Sequence, residues 1–231
     1  RPIRILDSIK WDGAVRAAFF DSGFTRLPSV NADYYRRHNP LDFDPASKRN
    51  EFHDIERDIA RKLGQLNPLA TIMRRICREY RAVVSMLEAR GTPDFGLVSE
   101  DLYGSASDVF HAGDPTLADL GTVMEETLIN LLKNDSMVEA PKDIPAARAV
   151  QMLNERLLAV FPDAGIRVIL NDQMTADAAA GSDYLKIRSD AHFNALDIDV
   201  LEVHEGWVHL GTTLNGTAQP WCTFLGKGPP S

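Results

Sequence analysis

Near the C-terminal end of the chain, Val203-His204-Glu205-Gly206-Trp207-Val208-His209 sets two imidazoles around a carboxylate, inside an otherwise apolar run from Ile198 to Leu214. Neutral imidazole nitrogens are good ligands for Zn2+, and a catalytic zinc site uses three protein ligands with water in the open fourth position. The metal lowers the pKa of that water from 15.7 to about 7, and a neighbouring carboxylate can take its proton as it attacks a carbonyl. His204 and His209 are therefore candidate ligands of Zn2+, and Glu205 is the candidate general base. The chemistry this set points to is metal-assisted hydrolysis.

The spacing imposes a structural condition. In the common H-E-x-x-H arrangement the histidines are four apart on one helical face; here they are five apart. On a regular α-helix a spacing of four turns about 40° and a spacing of five about 140°. A shared ion thus requires a π-type widening between His204 and His209, of the kind that occurs at functional positions. Gly206 lies inside the interval and has no side chain to oppose the distortion. Without the widening, both histidines are ordinary side chains of a buried helix, bonded to neighbours or water.

The elements that must position this stretch are mostly helical. Trp11, Val15, Ala18 and Phe19 recur at helical spacing over 11–20, ended by Gly23 and Pro28. Residues 34–45 read as a loop, because Pro40 and Pro45 disfavour helix at the residue before each. Phe52, Ile55, Ile59, Leu63 and Leu66 form one stripe over 50–66. Asn67-Pro68 restarts the chain into a long helix over 69–90, stopped by Gly91. Gly, Ser and Asp accumulate over 92–115, which reads as a loop carrying Tyr103. Helices follow over 117–132 and 145–161, joined by a connector over 134–143 that is expected to be mobile.

The period then changes. Ile166-Arg167-Val168-Ile169-Leu170 is rich in β-branched residues and bounded by Gly165 and Asn171-Asp172, the mark of a strand. Residues 173–182 are small and polar. Tyr184-Leu185-Lys186-Ile187-Arg188 alternates as a second strand. Asn194 is a suitable N-cap for the helix carrying the histidines, and Asn215-Gly216 its expected end. The order strand, strand, metal helix would let the strand beside the helix offer backbone groups to an extended peptide. On it, Lys186 and Arg188 are candidates to hold a substrate carboxylate, or else are solvent-facing charges of an edge strand. The fold class is α+β, mainly helical, in one domain with a helical part over 1–162 and a strand-strand-helix part over 163–231.

Composition narrows the partners. The 231 residues have an apolar fraction of 44%, a charged fraction of 25% and a net charge of −8. That charge argues against nucleic acid, whose binding relies on phosphate neutralisation by clustered Lys and Arg. No apolar run approaches the roughly 18 residues of a membrane span and no signal-peptide pattern is present, so no membrane partner is expected. Cys77 and Cys222 stand far apart, which fits a reducing compartment and a cytoplasmic location. The chain begins at Arg1 and stops in the loop-like Gly228-Pro229-Pro230-Ser231, so it reads as a fragment.

The segments Leu185-Lys186-Ile187-Arg188-Ser189-Asp190-Ala191-His192-Phe193 and 200–216, with its H-E-x-x-x-H and following Asn215-Gly216, resemble a known family. It is that of the bacterial QEGLA-motif proteins and their eukaryotic relatives, the microtubule-associated tyrosine carboxypeptidases that trim tubulin tails. The resemblance extends weakly through Gly91-Thr92-Pro93-Asp94-Phe95 and Leu102-Tyr103-Gly104 to the N-terminal helices. It implies a zinc metallopeptidase acting on peptide or protein C-terminal tails, with a helical body and small sheet beside an active-site helix of zincin type. His204 and His209 would be its ligands and Glu205 its base. The family's third ligand, a glutamate in a Q-E-G-L-A segment, would fall beyond Ser231; Glu202, Asp199 and His192 are in-chain alternatives by sequence distance alone. A non-catalytic binding or regulatory module, and a metal-dependent hydrolase of a non-peptide amide or ester, stay open as other readings.

Overall fold

Side-chain caps set where several of the helices begin. The structure, a computed structural model, describes residues 3–133, 140–172, 174 and 176–227. Most of the expected connector, residues 134–139, and the tail from 228 lie outside the described residues. The described chain is α+β and mainly helical. It divides into two compact units, with the division between Glu125 and Glu126.

The first unit holds helices α1 (Ile5–Ile9), α2 (Gly13–Asp21), α3 (Ala32–His38), α4 (Pro45–Leu63), α5 (Pro68–Glu88) and α6 (Pro93–Tyr103). The division falls within α7 (Leu117–Lys133). The carboxylate of Asp12 accepts the Val15 N–H at the start of α2, and Asp44 accepts the Ser47 N–H at the start of α4. Ile59, Ala70 and Cys77 bury the α4–α5 seam. Val83, Met86 and Leu87 pack the far end of α5 against α1 and α6.

Two of these helices contradict the expected loops. Within 34–45, Asn31 caps α3 by accepting the Tyr34 N–H, so the short helix is complete before Pro40 can oppose it. Within 92–115, Pro93 stands at the first turn of α6, where its missing N–H removes no helical bond. Tyr103 is the last residue of that helix.

The second unit contains β1 (Ile144–Pro145), α8 (Ala146–Val160), β2 (Arg167–Asn171), β3 (Ala178–Ala180), β4 (Tyr184–Arg188), β5 (His192–Phe193) and α9 (Ala195–Leu201). A π-helix over Glu202–Leu210 follows, then α10 (Gly211–Thr217) and a 3₁₀ turn over Thr223–Gly226. The main sheet has the order β2-β4-β3, with β4 parallel to β2 and antiparallel to β3. β1 and β5 form a separate antiparallel pair.

Ala146, Ala149, Leu153 and Leu157 form the buried stripe of α8 at helical spacing. They share one core with Val168, Leu185, Ile187, Phe193, Ile198 and Leu210. This core groups α8 with the strands, whereas the sequence pattern had divided the chain at 162/163. A helix joins whichever unit buries its stripe, and period alone does not say which.

Two further expectations are corrected. β3 lies within the small, polar stretch over 173–182: register against Leu185 and Ile187 made a strand of three alanines with little intrinsic β preference. Asn215-Gly216 does not end the last helix, which runs to Thr217. Gly216 is there for contact, since a Cβ would lie 2.2 Å from the Leu225 carbonyl carbon.

Leu185 is fully buried in the central strand. Leu185→Ala is expected to lower the stability of this unit by about 2–5 kcal/mol, seen as faster amide exchange across β2, β3 and β4. Unchanged exchange there would contradict the packing described.

Candidate metal centre

The helix carrying the two histidines begins at a reciprocal cap. Asn194 accepts the Asp197 N–H while Asp197 accepts the Asn194 N–H. One face is pinned in the core at both ends, by Ile198 in α9 and Leu210 at the close of the π-helix, both fully buried. Between these anchors the backbone widens, and the Gly211 N–H donates to the Gly206 carbonyl five residues back. In that pattern residues five apart become neighbours on one face. The expected widening is present, and it is a nine-residue π-helix rather than a single bulge.

Gly206 is buried where α8 passes: a Cβ would lie 2.4 Å from Leu157 Cδ2. The absence of a side chain therefore serves close packing as well as the backbone. Phe161 stands edge-on to Trp207, with ring centroids 6.4 Å apart.

The widened register brings the two imidazoles together. His204 Nε2 and His209 Nε2 are 3.3 Å apart, and the rings meet at 75° with centroids 4.9 Å apart. Two nitrogens held at about 2.0–2.1 Å by one tetrahedral zinc ion lie about 3.3–3.4 Å from each other. The donor pair thus has the separation that zinc requires.

Glu205 completes the group. Its side chain is only 12% exposed, against 62% for His204. Glu205 Oε2 accepts the Ala180 N–H at 2.8 Å, and Oε1 lies 3.7 Å from His204 Nε2. One oxygen is thus fixed by β3 while the other faces the imidazole pair. Among the described residues, His204, Glu205 and His209 are the one group of three or more His, Cys, Asp or Glu whose ligand atoms all lie within 4.8 Å of one another. Glu205 and His209 line a shallow cleft of about 380 Å³ together with residues 178–181 and Thr213.

The pattern of the microtubule-associated tyrosine carboxypeptidase family matches residues 17–231. The chain belongs to that family. No curated protein and no solved structure matches it. Membership extends over nearly the whole chain, where the H-E-x-x-x-H segment had been the most specific part of the resemblance.

Other candidate residues are placed differently in this family member. Lys186 and Arg188 are on β4, the central strand rather than an edge. They alternate with Leu185 and Ile187, which share the core with Leu210, and so project from the opposite face of the sheet. Arg188 bonds Asp177 at 2.9 Å and Asp190 at 2.8 Å, and the Lys186 ammonium sits 5.1 Å from the centre of the Tyr184 ring. Neither cation lines the cleft, so neither is positioned to hold a carboxylate there.

The three in-chain alternatives for a further ligand also lie outside the cluster. Asp199 and Glu202 both accept from Arg156, at 2.6 and 2.8 Å, and the two carboxylates raise the pKa of that guanidinium. His192 belongs to β5 and pairs in register with Pro145. Ala180, which orients Glu205 through its backbone, was missed in the sequence. A backbone donor leaves no mark in residue type.

Gly206→Ala is expected to reduce stability by about 1–3 kcal/mol through overpacking against Leu157. Adding Leu157→Ala should give a double variant less destabilised than the sum of the two, with a coupling of about 0.5–3 kcal/mol. Strict additivity in urea unfolding would refute the contact.

Proposed function

We propose that this chain is a zinc-dependent carboxypeptidase that removes a residue, tyrosine by the family's description, from flexible C-terminal tails of peptides or proteins. The observation that carries the reading is the 3.3 Å approach of two imidazole nitrogens beside the carboxylate of Glu205. Family membership supports peptidase chemistry at that site. His204 and His209 would hold the ion through their imidazole nitrogens. Zinc, when bound, supplies Lewis acidity that polarises the scissile carbonyl and acidifies water.

The remaining work falls to residues of this chain. Glu205 Oε1 takes a proton from the attacking water and passes it to the departing amine, while the Ala180 N–H holds Oε2 in place. β3 positions the substrate. The β3–β4 ladder uses the backbone of Gly181 and Asp177, so by alternation the backbone groups of Ala178 and Ala180 face away from β4. The Ala180 N–H is given to Glu205, and Ala178 presents its N–H and carbonyl to an extended tail, as in strand addition at a sheet edge. The strand that receives substrate is thus β3, in place of the strand bearing Lys186 and Arg188.

No helix among the described residues is long and apolar enough to cross a membrane. A second reading has one observation in its favour: 3.3 Å also suits an N–H of one imidazole directed at the other, as in a non-catalytic module on the same fold. Zinc content separates the two.

Elemental analysis of the purified full-length protein is expected to give one zinc per chain, removable by chelator together with activity and restored by zinc. Its absence after mild purification would leave the binding-module reading standing. Glu205→Gln is expected to retain the zinc and lose about 10²–10⁴-fold in turnover, measured by mass spectrometry on peptides ending in tyrosine. A variant as active as the parent would remove Glu205 from the mechanism. Cleavage of esters or non-peptide amides in place of peptides would redirect the substrate assignment.

A further inference from the structure

The π-helix over Glu202–Leu210 has to be held against the ordinary α register, and a side-chain arrangement away from the histidines is suited to hold it. Glu202 and Trp207 are five residues apart, as are His204 and His209. Trp207 Nε1–H donates to Glu202 Oε1 at 3.4 Å. On a regular α-helix the two side chains would diverge by about 140°, so the contact belongs to the widened register.

The same carboxylate is fixed from outside the helix. Glu202 Oε2 accepts from Arg156 Nη1 of α8 at 2.8 Å, and that nitrogen also donates to Asp199 Oδ1 at 2.6 Å. Asp199 lies three residues before Glu202, in the last turn of α9. Arg156 therefore grips the end of the α register and the first residue of the π register together. The Glu202 arm is the more withdrawn from water, with 21% of its side chain exposed against 60% for Asp199. Exposed ion pairs contribute little, so the Glu202 arm carries the effect. The edge-on contact with Phe161 limits where the Trp207 indole can turn.

We infer that Arg156, Glu202 and Trp207 form a register lock, positioning residues that keep the turn widened so that His204 and His209 face one ion. The functional consequence rests on the zinc reading above; the lock itself is a statement about the backbone. It gives Glu202 a role in holding the segment instead of ligating metal.

The test uses the full-length protein, with Trp207→Phe, which keeps an aromatic ring and deletes the N–H donor, and Glu202→Ala. Zinc affinity is read by competition with a chromophoric chelator. In metal-free protein, the register is read from hydrogen exchange of the Gly211 amide, and overall stability from the melting temperature. Loss of one hydrogen bond to a charged acceptor should weaken zinc binding by about tenfold and speed Gly211 exchange by about as much. In Trp207→Phe the metal-free melting temperature should fall by no more than the few degrees that one such bond accounts for.

Glu202→Gln, which keeps an acceptor oxygen for the indole, should recover part of both effects. Asp199→Ala should leave both near the parent values. Unchanged Gly211 exchange in both Trp207→Phe and Glu202→Ala overturns the lock, whether or not the parent binds zinc. Zinc affinity that falls only together with a melting temperature lowered well beyond those few degrees also overturns it, since that marks a general loss of stability. A parent protein that binds no zinc but shows the exchange effect would sink the zinc reading and leave the lock intact.

Discussion

Residues five apart share a helical face only where the backbone bonds reach one residue further than in an α-helix. The candidate centre depends on this constraint. With the Gly211 N–H bonded to the Gly206 carbonyl, His204 and His209 converge; one residue fewer per bond would send them to different sides. The widened backbone is less favourable in itself, so other interactions must hold it. Ile198 and Leu210 anchor both ends in one core, and Leu157 occupies the space beside Gly206 that a side chain would need.

The core therefore determines the chemistry of a site that is itself largely exposed. α8 supplies Leu157 to the back of the π-helix, Arg156 to its start and Leu153 to the shared interior. β3 supplies a single backbone N–H to Glu205, which orients the carboxylate with one oxygen toward the imidazoles. A small sheet of three strands suffices, because β4 is covered on one face by the core and paired on both edges. The outer edge of β3 is left facing the cleft, where the proposed substrate strand and the proposed base Glu205 meet.

Much of this was legible in the chain itself. The helical stripe of α8, the strand at Tyr184–Arg188 and the cap at Asn194 follow from local periodicity and hydrogen-bonding chemistry, and all three are present. The π widening was legible for a different reason: two histidines and a glutamate at a spacing unsuited to an α-helix are consistent only if the helix changes. The short helix α3 is hidden by Pro40 and Pro45, and α6 by the glycine, serine and aspartate of its stretch, although Pro93 stands where a helix accepts it. β3 was hidden because three alanines have no strand signature, and its partner in β4 decides the matter through register.

The sequence by itself determined which residue types face one another along a single element, because spacing and backbone geometry are local. It placed His204, Glu205 and His209 on one turn and made the fold mainly helical. Only the tertiary structure decided which strand lies beside that turn, which face of β4 is buried, and that Lys186 and Arg188 point away while Ala180 points in. Those outcomes arise from pairing between distant segments. A backbone N–H, present at every residue but proline, acquires a role there that no residue type announces.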